Sequence, residues 1–270
     1  MTMLLPAPTA PVRFRDLLGS EWIKTRSLRS TWWTIALTVL FVIGSSAVAS
    51  LTDKGAGGGS GAPEFRPFDA YPPAGYWTLI LVAGCAGALA VVSEYHSGLI
   101  RTTTAAVPAR GSVVLAKAVV TAALWTAVGA FVSTGSFLVS RAALDGTGAA
   151  VSVSHPGVLR ALVASALLAP VCALVGLGLG VLLRHAAATV VTAVFTLLML
   201  PTMFSESARW SADVNHAMVP AAWKRLVQSW EPDPESLGYA ATVPGSWIVY
   251  VLWPLTAVAL AVIVVRRRDV

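Results

Sequence analysis

Six runs of about twenty apolar residues dominate this chain and leave it little choice of fold. Roughly twenty residues of helix cross the ~30 Å hydrocarbon core of a bilayer. The runs are 32–51, 76–92, 118–139, 158–183, 186–204 and 246–265. The expected fold is therefore all-α, a polytopic membrane protein of six transmembrane helices. Charge supports this: 12% of residues are charged, against roughly 25% in ordinary soluble domains, and they cluster between the runs. A soluble enzyme or a secreted domain would spread them along the chain. The net charge of +6 is not gathered on one polar face interleaved with aromatics, so no nucleic-acid partner is expected. Cys85 and Cys172 both lie inside apolar runs and read as small buried hydrophobes rather than a disulfide.

The segments between the runs carry the detail. Residues 1–31 divide into a proline-containing tail and an amphipathic stretch, FRDLLGSEWIKTRSLRS. There Phe14, Leu17, Leu18, Trp22 and Leu28 recur at helical spacing among Arg13, Arg15, Lys24, Arg26 and Arg29. Such a helix is expected in the headgroup plane, its apolar face and Trp22 in the interface and its cations near anionic lipid. The basic head, the apolar run and Ala47-Val48-Ala49 imitate a cleaved signal peptide. Head and run are both long for one, so an uncleaved anchor entered by Trp32-Trp33 is expected. Residues 51–75, rich in Gly and Pro, form an external loop.

Gly129 and Ser133 stand at small-xxx-small spacing. Gly176, Gly178 and Gly180 suggest one small face for close helix contact, and Pro170 and Pro254 suggest kinks. Arg160 is expected to snorkel. Arg184-His185 alone separates the fourth and fifth runs, which makes a tight hairpin with His185 simply solvated. In the 205–245 loop, Trp223, Leu226, Val227 and Trp230 suggest a short amphipathic helix resting on the outer leaflet or capping the pathway.

With the N-terminus inside, the cytosolic segments hold twelve cations and the external ones seven. The positive-inside rule then places both termini in the cytosol, residues 266–270 forming a short cytosolic tail after Arg266-Arg267-Arg268. Intramembrane chemistry has no visible carriers. The runs contain no Asp, Glu or His, and there is no HExxH, GxSxG or GxxxxGK[ST] motif. No metal or cofactor is expected in this chain, and coupling to an ion gradient lacks the buried ionisable residues it usually needs. An energy source outside the chain is implied.

The polar passage Glu94 to Lys117, between the second and third runs, is where such a source would act. Glu94-xxx-Gly98-xx-Arg101-Thr102-Thr103, then Pro108-x-Arg110 and Lys117, is similar to the cytosolic passage of the ABC-2 type membrane subunits of ATP-binding-cassette exporters, especially the actinobacterial permeases. Ser20 to Trp33 resembles their interfacial connecting helix, with Glu21, Trp22, Lys24, Arg26 and Arg29 on it. The resemblance implies a cytosolic coupling helix, roughly 98–106, that transmits rigid-body motion from the motor into two spans. Glu94, Gly98, Arg101, Thr102, Thr103, Pro108 and Arg110 would be its contact residues. From the residues alone, Arg101, Arg110 and Lys117 face either an acidic ATPase surface or lipid phosphate, and Glu94 is expected to form an internal pair.

The resemblance further implies a permease subunit in a bacterial cytoplasmic membrane, not itself an enzyme. It would be paired with a second permease subunit, identical or not, and with two cytosolic ATPase subunits that bind ATP and Mg. A hydrophobic or amphipathic cargo such as a drug, antibiotic or lipid is expected, since nothing lines a polar pore. The alternatives are a non-transporting membrane anchor or sensor that recruits the same kind of partner, and an intramembrane enzyme.

Overall fold

The computed structural model describes residues 13–55, 73–97, 110–146, 152–228 and 239–267. Among these every regular element is helical. In chain order they are α1 (Phe14–Ser27), α2 (Arg29–Gly55), α3 (Pro73–His96), α4 (Arg110–Ala143), α5 (Val158–Leu183) and α6 (Ala186–Val194), followed by α7 (Arg209–His216), α8 (Val219–Val227) and α9 (Val243–Arg267). α6 runs on through a π-helical turn, Phe195–Met199, and a 3-10 turn, Leu200–Met203. Counting α6 with its continuation, α2, α3, α4, α5, α6 and α9 are, among the described residues, the six helices long and apolar enough to cross a membrane.

The bundle is built around α5, against which α3, α4 and α9 all pack. Its residues explain why. Gly176 lies so close to α3 that a Cβ there would run into the carbonyl of Gly84, and Gly180 faces Ala88. From the other side, Gly87 of α3 leaves no room beside the carbonyl of Ala173. Gly129 of α4 likewise abuts the carbonyl of Ala166, while the Ser133 hydroxyl donates to the Leu162 carbonyl at 3.0 Å. Close backbone approach of this kind replaces the hydrophobic drive that lipid removes. The three glycines of α5 do not share one face, contrary to expectation. Gly178 points at Ala257 of α9, because residues two apart on a helix diverge by about 200°. α5 is thus thin on two sides and holds α3 and α9 at once.

The expected loop between the second and third runs is shorter than its polarity suggested. α4 begins at Arg110, so Lys117 lies inside a helix of 34 residues. At 1.5 Å per residue that is roughly 50 Å, well beyond the hydrocarbon thickness. The Arg184-His185 hairpin is closed by backbone geometry. Arg184 adopts φ 54°, rare for a side chain of its size, its N–H donates to the Gly180 carbonyl at 3.0 Å, and His185 Nδ1 accepts from the Ala188 N–H at 3.3 Å.

At the opposite end, two short helices fill the connection from α6 to α9. Asn215 of α7 donates to the carbonyls of Pro201 and Phe204, both at 3.0 Å, and so satisfies groups left open where α6 ends. α8 does not rest on the outside of the bundle. Trp223 is 1% exposed, stacks on Tyr76 with ring centroids 4.2 Å apart and donates to Ser165 Oγ at 3.2 Å. Arg160 does not snorkel either: its guanidinium donates to the carbonyls of Leu226, at 3.0 Å, and Gln228, at 2.5 Å. A cation at the C-terminus of α8 also complements the helix dipole. Trp230 lies outside the described residues.

Candidate functional site: a buried ring of charge at one end of the bundle

α1 begins at Phe14, where Asp16 reaches back to accept the Arg13 N–H at 3.1 Å, and it ends where Leu28 turns extended. It docks along the first turns of α4 and turns Leu17 and Glu21 inward, both buried. The other elements at this end are the last turn of α3, the α5–α6 turn and the end of α9. The Arg184 guanidinium stands 5.2 Å over the Tyr95 ring, and Arg266 packs beside Gly111.

Four side chains from three elements meet there. Lys117 Nζ of α4 donates to Glu21 Oε2 at 2.5 Å and to Glu94 Oε1 at 2.9 Å. Lys24 Nζ of α1 donates to Glu21 Oε1 at 2.6 Å and to Glu94 Oε1 at 3.0 Å. Two acids and two lysines alternate in a closed ring with no net charge. Glu21 is 3% exposed and Glu94 and Lys117 are each 11%, while Lys24, at 34%, forms the wet side. Burial opposes the Lys24 ammonium, but its hydrogen bonds to Glu21 and Glu94 and their negative charges prevail and raise it above its ordinary value.

Of the residues singled out in the sequence, the ring therefore unites Glu21, Lys24 and Glu94. Lys117 joins them by facing inward to two carboxylates, not outward to lipid or a partner. Trp22, Arg26 and Arg29 are exposed on the far side, and Arg110 is the first residue of α4. Gly98, Arg101, Thr102, Thr103 and Pro108, and with them the expected coupling helix, lie outside the described residues. The pairing of Glu21 with Lys117 across 96 positions had no local signal in the sequence. Glu21 and Lys24 at i, i+3 did hint that one helix face was acid-base matched.

A second polar cluster was not anticipated. Ser46 and Ser50 of α2 both bond Ser140 Oγ of α4 at 2.9 Å, toward the other end of the bundle. The i, i+4 spacing of Ser46 with Ser50 and of Ser136 with Ser140 was the available clue.

Each lysine spans both acids, so the ring links helices. Among the described residues no group of three or more His, Cys, Asp or Glu is placed to hold a metal ion. Comparison with protein-family models gives no match, and comparison with curated proteins gives none either. The fold defines the class: a multi-pass, all-helical membrane protein with six candidate spans.

Proposed function

We propose that this chain is the membrane-spanning permease subunit of an ATP-driven exporter. The observation that carries the reading is the ring of Glu21, Lys24, Glu94 and Lys117. It clamps an N-terminal helix to the last turn of α3 and the first turns of α4, the two helices that flank the polar passage 98–109 in sequence. A push on that passage by a cytosolic ATPase reaches α3 and α4 directly and α1 through the ring. The three move as one body because parting α1 from α3 and α4 would cost each of the four charges one of its two ring partners. The clamped end also holds Arg110, Arg184, Arg266 and Arg267, which favours a cytosolic position for it under the positive-inside rule.

The two buried clusters between the helices are apolar, and no polar channel runs along them among the described residues. α2, α6 and α9 leave most of their apolar surface outside the bundle. A second permease subunit facing one of them would form the pathway between the two. A hydrophobic or amphipathic cargo suits such walls.

The test begins with whether the neighbouring reading frame carries a GxxxxGK[ST] phosphate loop, and continues with co-expression with an ATPase so identified, purification of the complex and reconstitution into vesicles. The expected result is co-purification, ATP hydrolysis stimulated by amphipathic compounds, and loss of both in Gly98 or Arg101 variants that still insert. Glu94→Gln should keep binding but let hydrolysis run with transport reduced at least severalfold. Full binding and stimulation in the Gly98 and Arg101 variants would overturn the coupling role. Hydrolysis with no movement of any amphiphile would favour an anchor or sensor.

A further inference from the structure

Turning Glu21 into the bundle strips the opposite face of α1 of its negative charge. Arg15, Trp22 and Arg26, spaced by seven and four residues, share one stripe of the helix away from Leu17 and Glu21, and all three are exposed. The patch continues into α2. Arg29 opens that helix, and Trp32 Nε1 donates to the Arg26 carbonyl at 3.1 Å, which ties the end of α1 to the first turn of the span. Trp33 beside it is 69% exposed. Among the described residues Asp16 is the one exposed acid at this end of the bundle, 3.7 Å from Arg15. Neither Arg26 nor Arg29 meets a carboxylate among them.

The depth of the patch follows from the tryptophans. Indoles at the mouth of a span settle at the membrane–water boundary, and the Trp32 bond holds Arg26 and Arg29 at the same level. A guanidinium there meets phosphodiesters, and the neighbouring indoles meet the first methylenes below them. A soluble protein docked on this face would have to cover exposed Trp22, Ile23 and Trp33 as well as three arginines. We infer that the stripe Arg15–Trp22–Arg26, extended by Arg29 and Trp33, is a binding surface for anionic phospholipid headgroups. It rests on the fold and the ring, and is independent of the exporter reading.

The test uses the full chain in nanodiscs of phosphatidylcholine with and without phosphatidylglycerol. Retained lipid is counted by native mass spectrometry after transfer to detergent. Phosphatidylglycerol should be kept in preference to phosphatidylcholine, less so at high salt. The preference should fall by about fivefold for each arginine removed in R26Q and R29Q. It should return in the R26K/R29K variant and survive in R209Q/K224Q, which carries its changes at the other end. Equal retention of both lipids, or an undiminished preference in R15Q/R26Q/R29Q, overturns the inference. So does displacement of the lipid by soluble glycerophosphate, or protection of these arginines from phenylglyoxal by the ATPase but not by lipid.

Discussion

At the scale of single residues the ring of charge is the feature with the largest expected effects. Replacing a buried ion pair by apolar groups is often neutral, whereas removing one partner leaves the other charged and desolvated. Lys117→Met should therefore cost about 3 kcal/mol, and the Glu94→Gln/Lys117→Met double variant clearly less than the sum of the singles. Equilibrium unfolding in micelles as a double-mutant cycle checks this, and additive costs would mean the two do not interact. Lys24 gives a pH signature. Its value is raised in the folded protein, so its contribution is complete below the ordinary 10.5 and is lost as pH rises through the higher folded value. Distances between spin labels at Ser27 and Leu115 should stay narrow up to that value and broaden above it. An unchanged distribution through that range would show that Lys24 does not tether α1.

At the scale of elements the glycines divide into two kinds. Gly176 sits where any side chain would meet the backbone of α3, while Gly19 of α1 has nothing within 4 Å of a Cβ. Gly176→Ala should destabilise the bundle by about 1–3 kcal/mol through forced separation of α3 and α5. Gly19→Ala should stabilise α1 by up to about 1 kcal/mol through helix propensity alone. Thermal unfolding of both variants, with helix content followed by circular dichroism, separates the cases; the same sign for both would contradict the packing described. The sequence placed Gly176 on a small face for close helix contact, but it put Gly178 on that face too, since which helix stands opposite each glycine is not a local property. α8 teaches the same lesson. Its periodicity announced an amphipathic helix, but that its apolar face met Tyr76 of α3 and Ser165 of α5 rather than lipid depended on where the fold seats α8.

At the scale of the whole molecule the six helices sort their described ends into two groups, with α1, the α5–α6 turn and the end of α9 on one side. Ser27→Cys and Ser207→Cys should accordingly react with an impermeant maleimide from opposite faces of the membrane. In intact cells Ser207→Cys should be labelled and Ser27→Cys protected until the cells are opened. Labelling of both from outside would overturn the topology, and the reverse pattern would invert it.

What the sequence determined by itself was the class of fold, an all-helical chain with six helices long and apolar enough to cross a membrane. Apolar length is a local property, and lipid requires it wherever a helix crosses. It also isolated Glu94 and the N-terminal helix as the places where charge interrupts that pattern. Only the tertiary structure decided which charges neutralise one another, which glycines carry contacts and that α8 is buried. Those outcomes depend on residues as distant as Glu21 and Lys117 being brought to one point, and no local pattern encodes a meeting set by the packing of helices around α5.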